Sequence, residues 1–544
     1  MRKNTRTARP ALLRAGLAAG MAAGMAAGLL GGCASGEPGD AADGYVTGAG
    51  PAYQGPAGEA DTGTLGRDDL PGEPVADPVM VENDWVDVAA QPVSTFSSDV
   101  DTASYTMLRY MLGAAEWYEG MGAQFRIEEM INYFDYDYAA PAANSARPFN
   151  VDVKLGAAPW DPSHQIARIG VKAKEARPTS EGNNVVLLID TSGSMSAENK
   201  LPLLVESFKL LAEKFDHRDR ISLITYAGSS SILLDGATGT EHGEINRALE
   251  SLTSAGATAG ADALKQAYAL AAKNFIEGGN NRVVLATDGD FNVGPSSVEA
   301  LKAQITQARS EGVFISVFGF GMYAHDAMME TIADNGNGNY FYIDSMNEAR
   351  RALVDQFDST MFTVAKDLKL QVTFNPQTVA RYRLIGYENR VLANEDFADD
   401  AVDAGDVGAG ATVTALYELV PGRAETAEAA DAVTAAPADG ASSAAVEPDS
   451  WMTVSTRYKA ADGDESKQDD FAVPQGGDKV SADDDWRFAV AVAEFGLILR
   501  DSQHRGAASL DQVKSLAEAA LGEDPYGLRA EFVELVERYR ELTS

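Results

Sequence analysis

The stretch VVLLIDTSGSM, from Val185 to Met195, decides the fold. Five aliphatic residues in a row are typical of a strand buried on both faces, as in a parallel sheet covered by helices. Three oxygen-bearing side chains follow, those of Asp190, Ser192 and Ser194. We interpret the stretch as the first strand of an α/β domain, with a candidate ligand site at its carboxyl end.

Similar apolar runs continue downstream, separated by apolar residues at helical spacing from Leu201 to Phe215 and from Ala263 to Phe275. We predict strands at Ile221–Tyr226, Val283–Thr287, Val313–Phe318 and Tyr340–Ile343, and an antiparallel edge strand at Ser231–Leu234. This alternation predicts a doubly wound, Rossmann-like α/β domain over residues 181–360.

The flanking regions alternate apolar and polar residues with a period of two, which is typical of half-buried antiparallel strands. They are Phe149–Leu155, Gln165–Lys174, Leu368–Phe374, Ala411–Leu419 and Met452–Tyr458. Because they lie on both sides of the α/β domain, we predict one β-sandwich-like body, over residues 86–180 and 361–482, into which that domain is inserted. Helical periodicity returns over residues 483–544.

The composition excludes one class of partner. The 544 residues include 81 acidic and 44 basic ones, for a net charge of −37, so the chain would repel nucleic acid, whose affinity rests on Lys and Arg. Residues 33–85 and 423–450 are rich in small and polar residues, and we predict a disordered tether and a disordered insertion there.

The start of the chain has the pattern of a signal peptide, with basic residues followed by a short Ala/Gly/Leu/Met stretch up to residue 32. The next residues, LLGGCAS, resemble the lipobox of bacterial lipoproteins, in which the cysteine, here Cys33, carries the lipid. The resemblance implies a cell-envelope lipoprotein held to the membrane by its N-terminal anchor, and Ala34 favours the outer membrane, facing the periplasm or the exterior. An uncleaved anchor, or an ordinary signal with an incidental cysteine, is the alternative.

Five oxygen-bearing side chains converge in this interpretation. Ligands of open parallel sheets bind at the carboxyl ends of strands where the winding direction reverses. Asp190 and Asp288 follow two strands that we take as neighbours across that reversal, and Thr258 lies in a small-residue loop between them. With Ser192 and Ser194, this set suits a hard cation, Mg²⁺ or another divalent cation such as Mn²⁺ or Ca²⁺. The hydroxyl ligands are neutral, and if the two carboxylates act partly through water the ion stays electron-poor. We then expect it to bind an Asp or Glu carboxylate of a partner protein.

The motif DTSGS, with Thr258 and the later TDGDFNVG, resembles the metal-ion-dependent adhesion site of von Willebrand factor type A domains. By that resemblance the two serines bind the ion directly, and Asp190, Asp288 and Thr258 bind it directly or through water. The flanking segments STFSSDVDTASYTMLRYML and EDPYGLRAEFVELV resemble a family of bacterial von Willebrand A lipoproteins and its C-terminal region of unknown function. That resemblance implies the architecture and the binding of a metal and of a protein, without naming the ligand. Because the sequence contains none of the usual catalytic motifs, we expect a non-enzymatic protein.

Several alternatives stay open. The Asp190 motif could be a helix N-cap, and the protein a structural envelope scaffold with no metal-dependent ligand. DGDFNVGPSSVE resembles a calcium loop but has Val293 where the turn needs glycine. A metal-dependent hydrolase or phosphatase is a further alternative. A phosphatase of this kind would need a second carboxylate two residues after Asp190, where this chain has Ser192, and no histidine is adjacent in sequence to the serines. The aromatic segment NYFDYDY, from Asn132 to Tyr138, fits either a packed helix end or a binding surface.

Overall fold

The structure is a computed structural model, and it describes residues 80–544 with gaps. The gaps are residues 99–101, 119, 176–180, 257–259, 290–297, 322–325, 358, 360–361, 401, 403, 423–445, 462, 464 and 477–480. The predicted signal peptide, Cys33, Thr258 and most of the predicted tether and insertion lie outside the described residues.

The strands of the described residues are numbered in chain order. They are β1 Val86–Asp87, β2 Val93–Ser97, β3 Phe149–Ala158, β4 Asp161–Ala173, β5 Asn183–Asp190, β6 Arg220–Tyr226, β7 Ser230–Thr238, β8 Asn280–Thr287, β9 Phe314–Phe320, β10 Tyr340–Ile343, β11 Thr363–Phe374, β12 Val379–Ile385, β13 Val391–Leu392, β14 Gly405–Gly408, β15 Thr412–Pro421, β16 Ser450–Ala460 and β17 Ser466–Pro474.

The α-helices are numbered in the same way. They are α1 Ala103–Gly113, α2 Ile127–Asn132, α3 Leu201–Ala212, α4 His242–Glu250, α5 Gly260–Lys273, α6 Val298–Ser310, α7 Asp326–Asn335, α8 Met346–Arg350, α9 Asp484–Leu499, α10 Leu510–Glu518 and α11 Leu528–Thr543. A π-helical turn, Arg351–Asp355, continues α8. The helices α3 and α5 end before Phe215 and Phe275, so the predicted apolar stripes extend beyond the helices themselves.

The central α/β domain contains a sheet with the order β10-β9-β8-β5-β6-β7. All neighbouring strands in it are parallel except β7, which pairs antiparallel with β6 at the edge. Successive residues of β5 point to opposite faces: Leu187 packs in the core with α3, and Leu188 in the core with α5. Both faces of β5 are therefore buried, which explains its unbroken apolar run and confirms the predicted doubly wound class.

Two antiparallel sheets form the body. One has the order β1-β12-β15-β4-β3 and the other β13-β2-β11-β16-β17, with β14 pairing β11. In each sheet, strands from before the α/β domain pair with strands from after it: β4 with β15, and β2 with β11. Ile169 and Val372 from the two sheets belong to one core. The α/β domain is therefore inserted into a β-sandwich, as predicted.

The C-terminal helices cover the outer face of the first sheet. Their core joins α1, α2 and α9–α11 to sheet residues such as Ile166 and Leu416. The aromatic side chains of NYFDYDY, those of Tyr133, Phe134, Tyr136 and Tyr138, are buried in this same core. The packing interpretation of that segment therefore agrees with the structure.

The beginnings of two strands of the α/β domain lie beside the body. A cleft of about 1260 Å³ is lined by Phe314 and Tyr340, which begin β9 and β10, and by Gly408 and Thr412 of the body. Because the strands β5, β6, β8, β9 and β10 are parallel, their carboxyl ends lie at the opposite edge of the sheet. The edge with Asp190 is therefore not the one that lines this cleft.

Residues 80–85, which the sequence assigned to the tether, contact the body. The Asn83 side-chain amide donates to the carbonyls of Leu384 at 3.2 Å and Gly386 at 2.8 Å, and the Ser502 hydroxyl donates to Glu82 at 3.0 Å. In the described residues, no helix has both the length and the apolar character needed to cross a bilayer.

Candidate metal-binding site

Asp190 is the last residue of β5 and is fully buried. Its Oδ1 atom accepts the backbone N–H of Ser192 at 2.8 Å, and its Oδ2 atom accepts the hydroxyl of Thr287 at 3.1 Å. Burial raises the pKa of the Asp190 carboxyl, and the carboxylate of Asp288 adds to this, whereas the bonds from Ser192 and Thr287 lower it. Both donors are neutral, so neither compensates the charge of a buried carboxylate.

The turn after β5 brings two serine hydroxyls together. The Oγ atoms of Ser192 and Ser194 are 2.9 Å apart, within hydrogen-bond distance. Ser192 is buried, whereas Ser194, in the 3₁₀ turn Gly193–Ser196, is exposed. The floor of the site is therefore buried and its rim is open to solvent.

The segment that leads to Thr258 lies against this turn. The N–H of Gly193 donates to the carbonyl of Gly256 at 3.0 Å, and the N–H of Ala255 donates to the carbonyl of Thr191 at 2.8 Å. The chain is therefore beside the serine turn two residues before Thr258, which lies outside the described residues.

Asp288 follows β8, the neighbour of β5, and its side chain is 2% exposed. Its Oδ2 atom accepts a hydrogen bond from the ammonium group of Lys200 at 2.9 Å. Its Oδ1 atom is buried and has no hydrogen-bond partner among the described residues. The structure thus brings four of the five predicted residues to one edge of the sheet, and their role as metal ligands stays a prediction.

The residues present fit a divalent cation. Two buried carboxylates face one ammonium, and an uncompensated buried carboxylate is costly. The unpartnered Oδ1 of Asp288 and the hydroxyls of Ser192 and Ser194 are oxygen ligands of the kind that Mg²⁺ takes. Among the described residues, no three His, Cys, Asp or Glu side chains form a group that could hold a metal.

Sequence reasoning missed three residues of the site. Thr287 bonds Asp190, and Lys200 bonds Asp288. Burial raises the pKa of Tyr226 well above its usual value, and the nearby Asp190 raises it further. Thr287 could have been found from its position beside Asp288 at a strand end, but nothing in the sequence marks Lys200 or Tyr226 as neighbours of the site.

The described part of the site places no histidine beside the two serine hydroxyls. The hydroxyls of Ser192 and Ser194 bond each other, and no hydrogen bond among the described residues joins either of them to a histidine.

Three family models match consecutive parts of the chain. The model of the von Willebrand factor type A domain matches residues 184–356. A model described as von Willebrand factor matches residues 78–168, and one described as "Uncharacterized protein YfbK, C-terminal" matches residues 359–542. The matches follow the division into an inserted α/β domain and its flanks. Domains of this type support protein interaction and commonly bind divalent metals.

The Escherichia coli (strain K12) protein YfbK is 40% identical over 468 residues, which cover 84% of this chain and 79% of YfbK. A solved von Willebrand factor type A protein from Catenulispora acidiphila is 15% identical, with a TM-score of 0.37, over 71% of this chain and 90% of that one. BatB from Bacteroides thetaiotaomicron is 24% identical, with a TM-score of 0.28, over 32% of this chain and 97% of that one. From the match along most of both chains, the protein belongs to the YfbK family of von Willebrand factor type A proteins.

Proposed function

We propose that the protein is a non-enzymatic, lipid-anchored component of the bacterial cell envelope that binds a partner protein through a divalent cation. The cation would be Mg²⁺, or another such as Mn²⁺ or Ca²⁺, held by Asp190, Ser192, Ser194, Thr258 and Asp288. The observation that carries the proposal is the buried Asp190 carboxylate, which has only neutral donors, beside the paired serine hydroxyls.

The buried Asp190 and the two serines have different roles in the proposed site. Asp190 accepts the Ser192 amide and thereby fixes the start of the serine turn. Ser192 and Ser194 offer neutral oxygens, so they hold a cation without cancelling its charge. When bound, the cation supplies a Lewis-acidic coordination position for a carboxylate of the partner. The exposed rim at Ser194 leaves that position accessible to a macromolecule.

The orientation of the domain supports a role in binding. The beginnings of β9 and β10 line the cleft to the body, and Asp190 lies at the opposite edge of the sheet. A partner at Asp190 would therefore not have to enter that cleft. The anchor at Cys33, which rests on the lipobox-like sequence, would hold this receptor at the membrane.

The test is a Mn²⁺ titration of the full-length chain, followed through the electron paramagnetic resonance signal of the free ion. Asp190→Asn removes one charge from the site and keeps the size of the side chain. We expect about ten- to a hundredfold weaker binding, because even the outer partners of metal ligands contribute that much to metal affinity.

Asp219→Asn is the matched control. Asp219 is also buried and also accepts backbone N–H groups, those of Asn183 at 2.7 Å and Asp216 at 2.6 Å, but it lies at the beginning of β6, the other edge of the same sheet. We expect wild-type Mn²⁺ affinity for this variant. Equal binding by wild type and Asp190→Asn would remove the proposed site.

A pull-down with Mg²⁺ and with a chelator then addresses the partner. The proposal expects proteins that bind the wild type with Mg²⁺ and are lost with the chelator and with Asp190→Asn. A structural scaffold would retain the same partners in all three conditions. Turnover of a model phosphate or ester substrate that disappears in Asp190→Asn would favour an enzyme instead.

A further inference from the structure

Lys200 is a positively charged side chain held inside a site that is proposed to bind a cation. Its ammonium donates to Oδ2 of Asp288 at 2.9 Å, and its side chain is 22% exposed while that of Asp288 is 2% exposed. The ion pair therefore lies at the boundary between the buried floor and the solvent. Neither the motif nor the proposed function assigns a role to Lys200.

The position of Lys200 is built into the fold. Its backbone N–H donates to Ala197 at 3.0 Å and its carbonyl accepts from Leu204 at 2.8 Å, so it is fixed between the serine turn and α3. Its side-chain stem runs over Gly321, at the end of β9, where a Cβ atom would lie 2.3 Å from the Lys200 Cε. Gly321 also has a φ of +87°, a conformation that L side chains rarely adopt. The glycine leaves the space that the lysine stem occupies.

A count of charges gives the consequence. Asp190 and Asp288 contribute two negative charges and Lys200 one positive charge, so the three groups sum to −1. A divalent cation brings this sum to +1, and an incoming carboxylate brings it to zero. Without Lys200 the corresponding sums would be −2, zero and −1. Lys200 should therefore oppose the cation and favour the carboxylate.

We propose that Lys200 is the residue that sets the balance of this site, weakening its affinity for the metal and strengthening the affinity of the metal-loaded site for a carboxylate of the partner. The proposal rests on the proposed function, because it assumes that the site binds a divalent cation. It assigns to Lys200 a positioning role through Asp288 and an electrostatic role towards the ligand. A site that contained only the carboxylates and hydroxyls would retain its metal but bind acidic partners poorly.

The experiment uses the full-length chain, Mn²⁺ as the metal probe and acetate as the carboxylate probe. Mn²⁺ affinity is measured from the resonance signal of the free ion, and acetate binding from the relaxation that bound Mn²⁺ causes in the acetate methyl protons. Lys200→Gln removes the charge and keeps a donor for Asp288. We expect about tenfold tighter Mn²⁺ binding and about tenfold weaker acetate binding to the loaded protein.

Two variants separate charge from packing. Lys200→Arg keeps the positive charge, and we expect nearly wild-type values for both probes. Lys209→Gln, on α3, removes a lysine of similar exposure, 23%, that pairs with Glu206 and Glu250 away from the site, and we expect no change. Circular dichroism and thermal melting of each variant verify that it is folded.

The outcomes distinguish this inference from the proposed function. If the wild type and all variants fail to bind Mn²⁺, the proposed function is wrong and the inference falls with it. If the wild type binds Mn²⁺ but Lys200→Gln binds it equally or more weakly, the metal site stands and the role of Lys200 is refuted. An arginine variant that behaves like the glutamine variant would equally refute the electrostatic role.

Discussion

The hydroxyl of Tyr133 donates to Oε2 of Glu348 at 2.6 Å, and both side chains are buried. Tyr133 follows α2 in the body, and Glu348 belongs to α8 at the end of the von Willebrand type A domain. Glu348 also accepts from Arg351, and Arg109 of α1 donates to the Tyr133 hydroxyl at 2.7 Å. A buried, charge-assisted network therefore joins the inserted domain to the helices of the body.

Tyr133→Phe should destabilise the protein more than an ordinary buried tyrosine does. It removes a donor from a buried carboxylate, which should cost about 2–3 kcal/mol of unfolding free energy, because bonds to charged groups exceed neutral ones. Tyr136→Phe is the control, since its hydroxyl donates to the neutral carbonyl of Ile131 and should cost about 1 kcal/mol. Urea unfolding of both variants measures the difference, and equal costs would mean that the network does not stabilise the joint.

Ser194→Ala should weaken Mn²⁺ binding, whereas Ser196→Ala should not. Both serines are exposed and lie in the same 3₁₀ turn, but the Ser194 hydroxyl is the one 2.9 Å from that of Ser192. We expect roughly a tenfold or greater loss for Ser194→Ala, as for other residues that support a metal site. Titration of the free-ion signal compares the two. A loss of the same size in both variants would point to disruption of the turn.

Glu494 should make the stability of the protein depend on pH. It is fully buried in α9; its Oε1 accepts the N–H of Ser509 at 3.1 Å, and its Oε2 has no hydrogen-bond partner among the described residues. Burial raises its pKa to about 7 from a usual value of 4.5, and the bond from Ser509 opposes this. The folded state therefore keeps a proton that the unfolded state releases between these values. The contribution of Glu494 to stability is full below pH 4.5 and is lost as the pH rises to 7, at a cost of up to about 3 kcal/mol.

Glu494→Gln should remove this dependence. We expect the variant to gain stability over the wild type above pH 7, by about 1–3 kcal/mol, and the gain to vanish towards pH 4.5. Glu518→Gln, an exposed change on α10, should leave the shape of the wild-type curve unchanged. The measurement is urea unfolding at a series of pH values. A wild-type curve parallel to that of Glu494→Gln would contradict the prediction.

Cys33→Ala should release the protein from the membrane fraction. The prediction follows from the basic N-terminal region, the short apolar stretch and the lipobox-like LLGGCAS. A lipid on Cys33 would anchor the chain through buried acyl groups, and alanine cannot carry it. Fractionation of cells that express the two forms tests it. A variant that stays firmly in the membrane fraction would identify another anchor.

In the strands that were predicted correctly, the pattern of apolar and polar residues matches which side chains are buried. The unbroken run of β5 and the alternation of Phe149–Leu155 in β3 are examples. No comparable pattern marks β17, SKQDDFAVP, because it is an edge strand with several charged residues and most of its side chains are in contact with solvent. The strand β12, VARYRLI, was missed because its arginines interrupt the apolar pattern. In the folded protein Arg383 is buried in an ion pair with Glu418.

By itself the sequence determined the class of the fold and the insertion of one domain into another. It also determined that Asp190 and Asp288 follow the ends of two buried strands. These features could be predicted because hydrophobic periodicity and the succession of elements along the chain are read directly from the sequence. Only the tertiary structure decided that Lys200 and Thr287 bond those carboxylates and that Tyr133 meets Glu348. These pairs join residues 88, 97 and 215 positions apart, and such contacts depend on how helices and strands pack, which no local pattern encodes.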